Sequence, residues 1–319
     1  MKRIAVVTSG GDAPGMNAAI RAVVRMSVYN DMTVFGVRRG FYGLLYHDFV
    51  NMTANSVGDI IHRGGTILRT SRVKEFREES VRMRAKDALD YFGVKTLVVI
   101  GGNGSMAGGH ALSKLGVNVI GIPASIDNDV PYTDLAIGFD TAVNTVLDAI
   151  NRIRDTATSH ERIFIVEVMG RESGQIALAA GLAGGAESIL IPEVPFDVRD
   201  IVERINAGIN RGKLHSIIVV AEGCCSGIEL GRQIENLSHH ETRVTVLGHT
   251  QRGGTPTAAD RILASQLASK AVELILNGET NKMAAIQKGD VTAADLKDVV
   301  EGNKQINLQE YELTKILSI

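Results

Sequence analysis

Two carboxylates and a hydroxyl crowd one short segment of the chain, Pro123-Ala124-Ser125-Ile126-Asp127-Asn128-Asp129, directly after the apolar run 117–122. A carboxylate at the end of a buried strand can take a proton from an attacking hydroxyl or help hold Mg2+. The same residue types also favour ordinary turns, through local hydrogen bonds. Two further segments are rich in glycine. Thr8-Ser9-Gly10-Gly11-Asp12-Ala13-Pro14-Gly15-Met16-Asn17 opens a helical pattern, and Ile100-Gly101-Gly102-Asn103-Gly104-Ser105 is followed one turn on by Gly108-Gly109. Glycine lets backbone approach an anion, and a helix amino end offers free N–H groups and a positive dipole end. Neither segment is a Walker loop or the spaced dinucleotide fingerprint. A tight strand-to-helix turn alone would look similar, but two such ends in one chain suit a single polyphosphate ligand such as a nucleotide. Arginine among glycines recurs in Val168-Met169-Gly170-Arg171-Glu172-Ser173-Gly174 and in Gly248-His249-Thr250-Gln251-Arg252-Gly253-Gly254. A guanidinium grips phosphoryl oxygens bidentately and stays charged, although lone arginines commonly sit on solvated faces.

Positioning these groups falls to short runs rich in Val and Ile at 4–8, 33–37, 96–100, 117–122, 163–168, 188–191, 216–221 and 243–247. They read as strands buried on both faces. Between them, apolar residues at helical spacing predict helices over 16–29, 80–92, 141–156, 198–211 and 256–276. Strand–helix alternation means parallel sheets with crossover helices. A closed barrel fits the strand count, but the uneven glycine clusters favour two open sheets with ligands at their carboxyl ends. No linker of low complexity and no 20–50-residue repeat separates the halves, so two closely packed domains with a cleft are expected.

Composition narrows the function classes. The chain has 319 residues, room for about two domains. With 45% apolar residues and a net charge of −2, disorder is excluded. A pI near 6.5 gives no broad basic field for nucleic acid. Cys224 and Cys225 are adjacent, which suits neither a disulfide nor a metal framework and fits a reducing compartment. The apolar stretch 176–186 is too short to span a bilayer. Met1-Lys2-Arg3-Ile4-Ala5-Val6-Val7 shows no signal-peptide pattern, so a cytoplasmic protein is expected.

Taken together, Gly-Gly-Asp-Ala-Pro-Gly-Met-Asn, Pro-Ala-Ser-Ile-Asp-Asn-Asp, Met-Gly-Arg and Gly-His-Thr-Gln-Arg-Gly-Gly-Thr-Pro, in this order and spacing, resemble bacterial ATP-dependent 6-phosphofructokinases along the whole chain. The resemblance implies a glycolytic enzyme that moves the ATP γ-phosphoryl to the 1-hydroxyl of fructose 6-phosphate with Mg2+. It implies a homotetramer of subunits with two Rossmann-like α/β domains and an active site in the cleft between them. The nucleotide domain would be 1–138 plus 251–301, and the sugar-phosphate domain 139–250 plus 302–319. Gly11, Arg72, Val73, Gly102, Asn103, Gly104, Ser105 and Gly108 fall at ATP positions, and Phe41 with Val73 would adjust the adenine pocket. Asp127 falls at the general base. Ser125 keeps a hydroxyl where the family usually has threonine, and Arg171 and Arg72 would neutralise the moving phosphoryl. Ile126, Met169, Gly170, Glu222, His249, Thr250, Gln251 and Arg252 would bind the sugar phosphate, and Arg162 and Arg243 would reach its 6-phosphate across a subunit interface. Arg21, Arg25, Arg154, Gly185, Ala186, Glu187, Arg211, Lys213, Leu214 and His215 fall at the effector site, where the family binds ADP and phosphoenolpyruvate. Ala54 stands where relatives have arginine.

The departures concern the metal. The family's second glycine loop reads Gly-Gly-Asp-Gly-Ser, and its aspartate helps hold Mg2+. Here the residue is Asn103, which keeps an acceptor oxygen but loses the charge, and Asp129 is the remaining candidate ligand. The competing reading is a ligand-binding paralogue or variant with poor turnover because of Asn103. Pyrophosphate-dependent relatives tend to carry lysine at the position of Ala124 and aspartate at that of Gly104, so both positions here favour ATP.

Overall fold

Each of the predicted apolar runs forms a strand in the computed structural model, which describes residues 2–318. In chain order the strands are β1 Arg3–Thr8, β2 Thr33–Val37, β3 Phe49–Met52, β4 Thr96–Gly101, β5 Asn118–Pro123, β6 Ile163–Val168, β7 Ser188–Leu190, β8 Ser216–Ala221, β9 Thr242–Val246, β10 Lys282–Gln287 and β11 Asp290–Asp295. The helices are α1 Met16–Tyr29, α2 Phe41–Leu45, α3 Glu79–Tyr91, α4 Asn103–Ser113, α5 Phe139–His160, α6 Gln175–Ala183, α7 Val198–Asn210, α8 Gly227–Ser238, α9 Ala258–Leu276, α10 Leu296–Glu301 and α11 Leu308–Leu317. The chain divides into unit 1, Met1–Thr141 with Arg252–Lys304, and unit 2, Ala142–Gln251 with Gln305–Ile319. Each unit is a Rossmann-like α/β body around one mainly parallel sheet.

Unit 1 holds a seven-stranded sheet in the order β11-β10-β5-β4-β1-β2-β3. The inner strands are parallel, so the segments after β1, β4 and β5 emerge at one end. The strand order reverses between β1 and β4, a place where open α/β sheets bind ligands. All six residues of β4 are buried, as a strand covered on both faces must be. Asn17, buried on α1, donates to the carbonyls of Arg63 and Gly64 and accepts from Ile67 N, which ties loop 63–67 to the helix. Asp260, buried on α9, accepts from Gly138 N and Thr141 N at 2.8 Å each and so satisfies donors at the amino end of α5.

Unit 2 holds a four-stranded parallel sheet in the order β7-β8-β6-β9, with an aliphatic core from Ile163, Ile165, Ile201, Ile218, Val220 and Ile234. One expectation is corrected. Burial on both faces fails at β9, which is half-exposed because it forms the sheet edge. The first sheet is mainly parallel, as expected, with β3 and β11 pairing antiparallel with β2 and β10. β10 and β11 are joined through Lys288 and Gly289, at φ 54° and 86°, the positive pair that a tight two-residue hairpin needs. Among the described residues no helix is long and apolar enough to cross a membrane.

Candidate active site

The three segments at the carboxyl end of the first sheet line one cavity of about 950 Å3, made entirely of unit 1 residues. The segment after β1 is fixed by Ser9 N, which donates to Ile100 O at 3.0 Å, and by Thr70 Oγ1, which donates to Gly10 O at 2.8 Å. Gly11 leaves room for the Arg252 guanidinium: a Cβ there would lie 2.4 Å from its Nη1. The second segment turns from β4 through Gly102 into the amino end of α4. Ser105 N and Met106 N both donate to Gly102 O. The Ser105 hydroxyl is buried and has no protein hydrogen-bond partner. A helix amino end with an unpartnered hydroxyl, beside Arg72 and Arg252 in one cavity, suits an anionic phosphate chain.

In the third segment, Asn128 adopts a φ of 48°, with its side chain accepting from Ala136 N and donating to Asp134 O. This buried clamp presents Asp127 and Asp129 on either side of it into the cavity. Ser125 Oγ accepts from Asp127 N at 3.2 Å and donates to Asp129 Oδ1 at 3.3 Å. Asn103 Nδ2 donates to Asp129 Oδ2 at 2.8 Å and to Asp129 O at 3.2 Å. Ile126 is buried.

The cavity thus brings together Gly11, Arg72, Val73, Gly102, Asn103, Gly104, Ser105, Gly108, Ser125, Asp127, Asp129 and Arg252 from the sequence reading. It adds Lys74, Phe76, Arg77, Arg82, Ala107 and Ala111, which that reading missed. Phe76 stacks on Phe41 with centroids 4.4 Å apart and rings 4° from parallel. A Cβ on Gly108 would lie 2.5 Å from Phe41 Cε2, so only glycine lets α4 pass this ring pair. Arg82 Nη1 donates to Phe76 O at 3.0 Å and to Arg77 O at 2.6 Å, closing the turn below it.

In unit 2 the sugar-phosphate candidates fall into two groups. Met169, Gly170 and Arg171 follow β6, Glu222 follows β8, and His249, Thr250 and Gln251 follow β9, all at the carboxyl end of the second sheet. Arg171 Nε lies 3.6 Å from Glu222 Oε1. Gly170 has φ 131° and passes so close to Ser173 O that a side chain there would clash. Gln251 is fully buried: its Oε1 accepts from Met169 N at 3.2 Å and its Nε2 donates to Gly248 O at 3.0 Å. Arg162 and Arg243 lie at the opposite, amino end, roughly 20 Å away at ~3.3 Å per strand residue.

Most of the effector candidates also gather in unit 2. A second cavity of about 160 Å3 is lined by Glu187, Arg204, Gly208, Arg211, Lys213 and Lys315, among others. Glu187 is buried, accepts from Ile217 N at 2.5 Å and pairs with Lys213 Nζ at 2.9 Å. Arg154 donates to Gly184 O and Gly185 O. His215 Nδ1 lies 3.3 Å from Thr158 Oγ1, and burial holds its ring pKa below the usual histidine value. Ala186 is buried and Leu214 exposed. Arg21 and Arg25 belong to α1 of unit 1. The two cysteines are free and half-buried, and burial pushes the Cys224 thiol up to about 12, which makes it a poor nucleophile at neutral pH.

The chain is similar in sequence to known proteins along its whole length. The family described as Phosphofructokinase matches residues 3–275. The ATP-dependent 6-phosphofructokinase of Natranaerobius thermophilus is 53% identical over 319 residues, covering 100% of both chains. That of Bacillus licheniformis is 54% identical over 319 residues, again covering 100% of both. The solved phosphofructokinase of Saccharomyces cerevisiae superposes with a TM-score of 0.89 at 35% identity, covering 94% of this chain and 45% of the yeast chain, of which this chain spans less than half. The chain belongs to the phosphofructokinase family.

Proposed function

We propose that this chain transfers the γ-phosphoryl of ATP to the 1-hydroxyl of fructose 6-phosphate, giving fructose 1,6-bisphosphate and ADP in glycolysis. The observation that carries this reading is the unit 1 cavity, where the amino end of α4 and its unpartnered Ser105 hydroxyl share one space with Asp127. Unit 1 supplies the nucleotide groups: Gly11, Gly102, Gly104 and Ser105 for the phosphates, and Phe41, Val73, Phe76 and Gly108 for the base. Unit 2 supplies Met169, Gly170, Arg171 and Glu222 to the sugar phosphate, with exposed His249 and Thr250 beside them. Buried Gln251 serves by holding Met169 and Gly248 in place rather than by touching substrate.

Asp127 accepts the proton of the 1-hydroxyl as its oxygen bonds to the γ-phosphorus, and the bond to the ADP oxygen breaks. The transition state spreads charge over the phosphoryl oxygens, which Arg72 and Arg171 neutralise and the Ser125 hydroxyl contacts. Ser125, Asp127 and Asp129 bring hard side-chain oxygens to one cavity. This fits Mg2+, which takes one or two carboxylates and fills its shell with phosphate oxygens and water. Asp129, steadied by Asn103, would hold it, and when bound the ion offsets charge on the phosphates.

Arg162 and Arg243 cannot serve the same small sugar as Met169 of their own sheet, because the strand length separates them. They serve a second copy, in the homotetramer that the reading requires. Arg154, Arg211, Lys213 and His215, with Arg21 and Arg25 of another copy, form a site for ADP or phosphoenolpyruvate. The expected compartment is the cytoplasm.

A coupled assay with fructose 6-phosphate and Mg-ATP, repeated with pyrophosphate, tests the reading. Turnover only with pyrophosphate, or none with either, defeats it. Asp127→Ser should lower kcat by about 10^2-fold or more with fructose 6-phosphate binding retained; an unchanged kcat removes Asp127 as the base.

A further inference from the structure

At the amino end of the second sheet one carboxylate holds both arginines that the proposed function assigns to the 6-phosphate. Glu241 Oε2 accepts from Arg162 Nε at 2.6 Å, and Glu241 Oε1 accepts from Arg243 Nη2. The arrangement is built into the strand register. Ile163 pairs with Thr242 and Phe164 with Arg243, and Ile163 N donates to Glu241 O at 3.2 Å. Side chains two apart on a strand share a face, so residues 241 and 243 emerge together, beside residue 162. Neither carboxylate oxygen is spare: each faces a different guanidinium.

Such a carboxylate has two opposed effects on an incoming phosphoryl group. It orders two long side chains beside each other, yet it occupies their donors and places a negative charge within contact of a dianion. The side chains are part-exposed, Arg162 at 30%, Glu241 at 41% and Arg243 at 56%, so water can replace the carboxylate at modest cost. We infer that Glu241 is a built-in competitor of the 6-phosphate and sets the affinity for the sugar phosphate by occupying Arg162 and Arg243. The inference rests on the reading that these two arginines hold the 6-phosphate. Glu241 touches no reacting atom and acts only through its two partners.

The test measures equilibrium binding of fructose 6-phosphate and the kcat at saturating Mg-ATP for the wild-type enzyme, Glu241→Gln and Arg243→Ala. Glutamine keeps the shape and one acceptor oxygen and removes the charge. Glu241→Gln is expected to lower the half-saturating fructose 6-phosphate concentration about threefold to tenfold, the size of one or two part-exposed ion pairs, with kcat within about twofold. Arg243→Ala is expected to raise that concentration about tenfold or more. If Arg243→Ala binds as well as wild type, the assignment of the arginines fails, and this inference with it. If Arg243→Ala is impaired but Glu241→Gln binds equally or more weakly, the competitor role fails while the assignment stands. Glu241→Ala, truncated at the same exposed position, is read in the same way should the glutamine variant fold poorly.

Discussion

Asn103 is where one atom's chemistry decides most. Its amide nitrogen bridges the side chain and the carbonyl of Asp129, so the residue steadies the carboxylate proposed to hold Mg2+ even though it brings no charge itself. Exchange to aspartate would set two carboxylates against each other at hydrogen-bond distance, a repulsion that a bridging cation relieves. Asn103→Asp is therefore expected to raise kcat about tenfold at saturating Mg2+. The same variant should be less stable than wild type in a chelator and regain that loss when Mg2+ is added. A kcat no higher, with melting temperature indifferent to Mg2+, would mean that Asp129 already holds the ion without help. The sequence exposed the acids and glycines of this site because chemistry restricts their types. It concealed Phe76 and Arg77, which sit on the short 3-10 turn Lys74–Arg77 where no periodicity helps, and Arg82, because an arginine in the first turn of a helix shows nothing in sequence of the cavity it lines. It also concealed the task of Gln251, because only burial separates a polar side chain that holds backbone from one that meets substrate.

Elements with a strong pattern were legible almost to the residue: α1 begins and ends at the predicted positions, and β2, β6 and β8 do too. The hairpin of β10 and β11 was not. Its strands carry alanines and end residues of either charge rather than a run of Val and Ile, and its turn is Lys-Gly rather than Asn-Gly. Beyond α10 the chain runs without regular structure to α11, and Lys304 anchors that stretch to unit 1. Its Nζ donates to Asp134 O at 2.9 Å, and burial, opposed by Asp134 and Asp129, pushes its ammonium down to about 8. The sign follows from proton counts. Between about pH 8 and 10.5 the unfolded chain binds more protons here than the folded one, so this group makes stability rise with pH across that window. Below pH 8 both states are charged and the burial cost is constant. Lys304→Met keeps the apolar stem, and Asn128 Nδ2 still serves Asp134 O. The variant should be more stable than wild type by about 2 kcal/mol at pH 7 in chemical denaturation. The gain should shrink through pH 8 to 10.5 and vanish near pH 11; a constant difference across that range would show that charge burial is not its origin.

For the whole molecule, the decisive fact is the separation along one sheet. Arg171 follows the carboxyl end of β6, and Arg243 sits beside the amino end of that same strand, roughly 20 Å away. A sugar bisphosphate is far shorter than that, so the two side chains of one copy cannot grip one product molecule. If both are required, each site draws Arg171 from one copy and Arg243 from its neighbour. Arg171→Ala and Arg243→Ala homo-oligomers should then each be poorly active, the first through kcat and the second through fructose 6-phosphate affinity. Dissociated, mixed in equal amounts and reassembled, they should recover about a quarter of the wild-type sites, because half the copies keep Arg171 and, independently, half of their neighbours keep Arg243. The recovery should scale with the product of the two fractions as the mixing ratio changes. Activity that stays at the average of the two parents would place both arginines in the service of a single copy, and the sheet geometry would then have to be bridged by movement of the strands themselves, against their buried and fully paired inner residues.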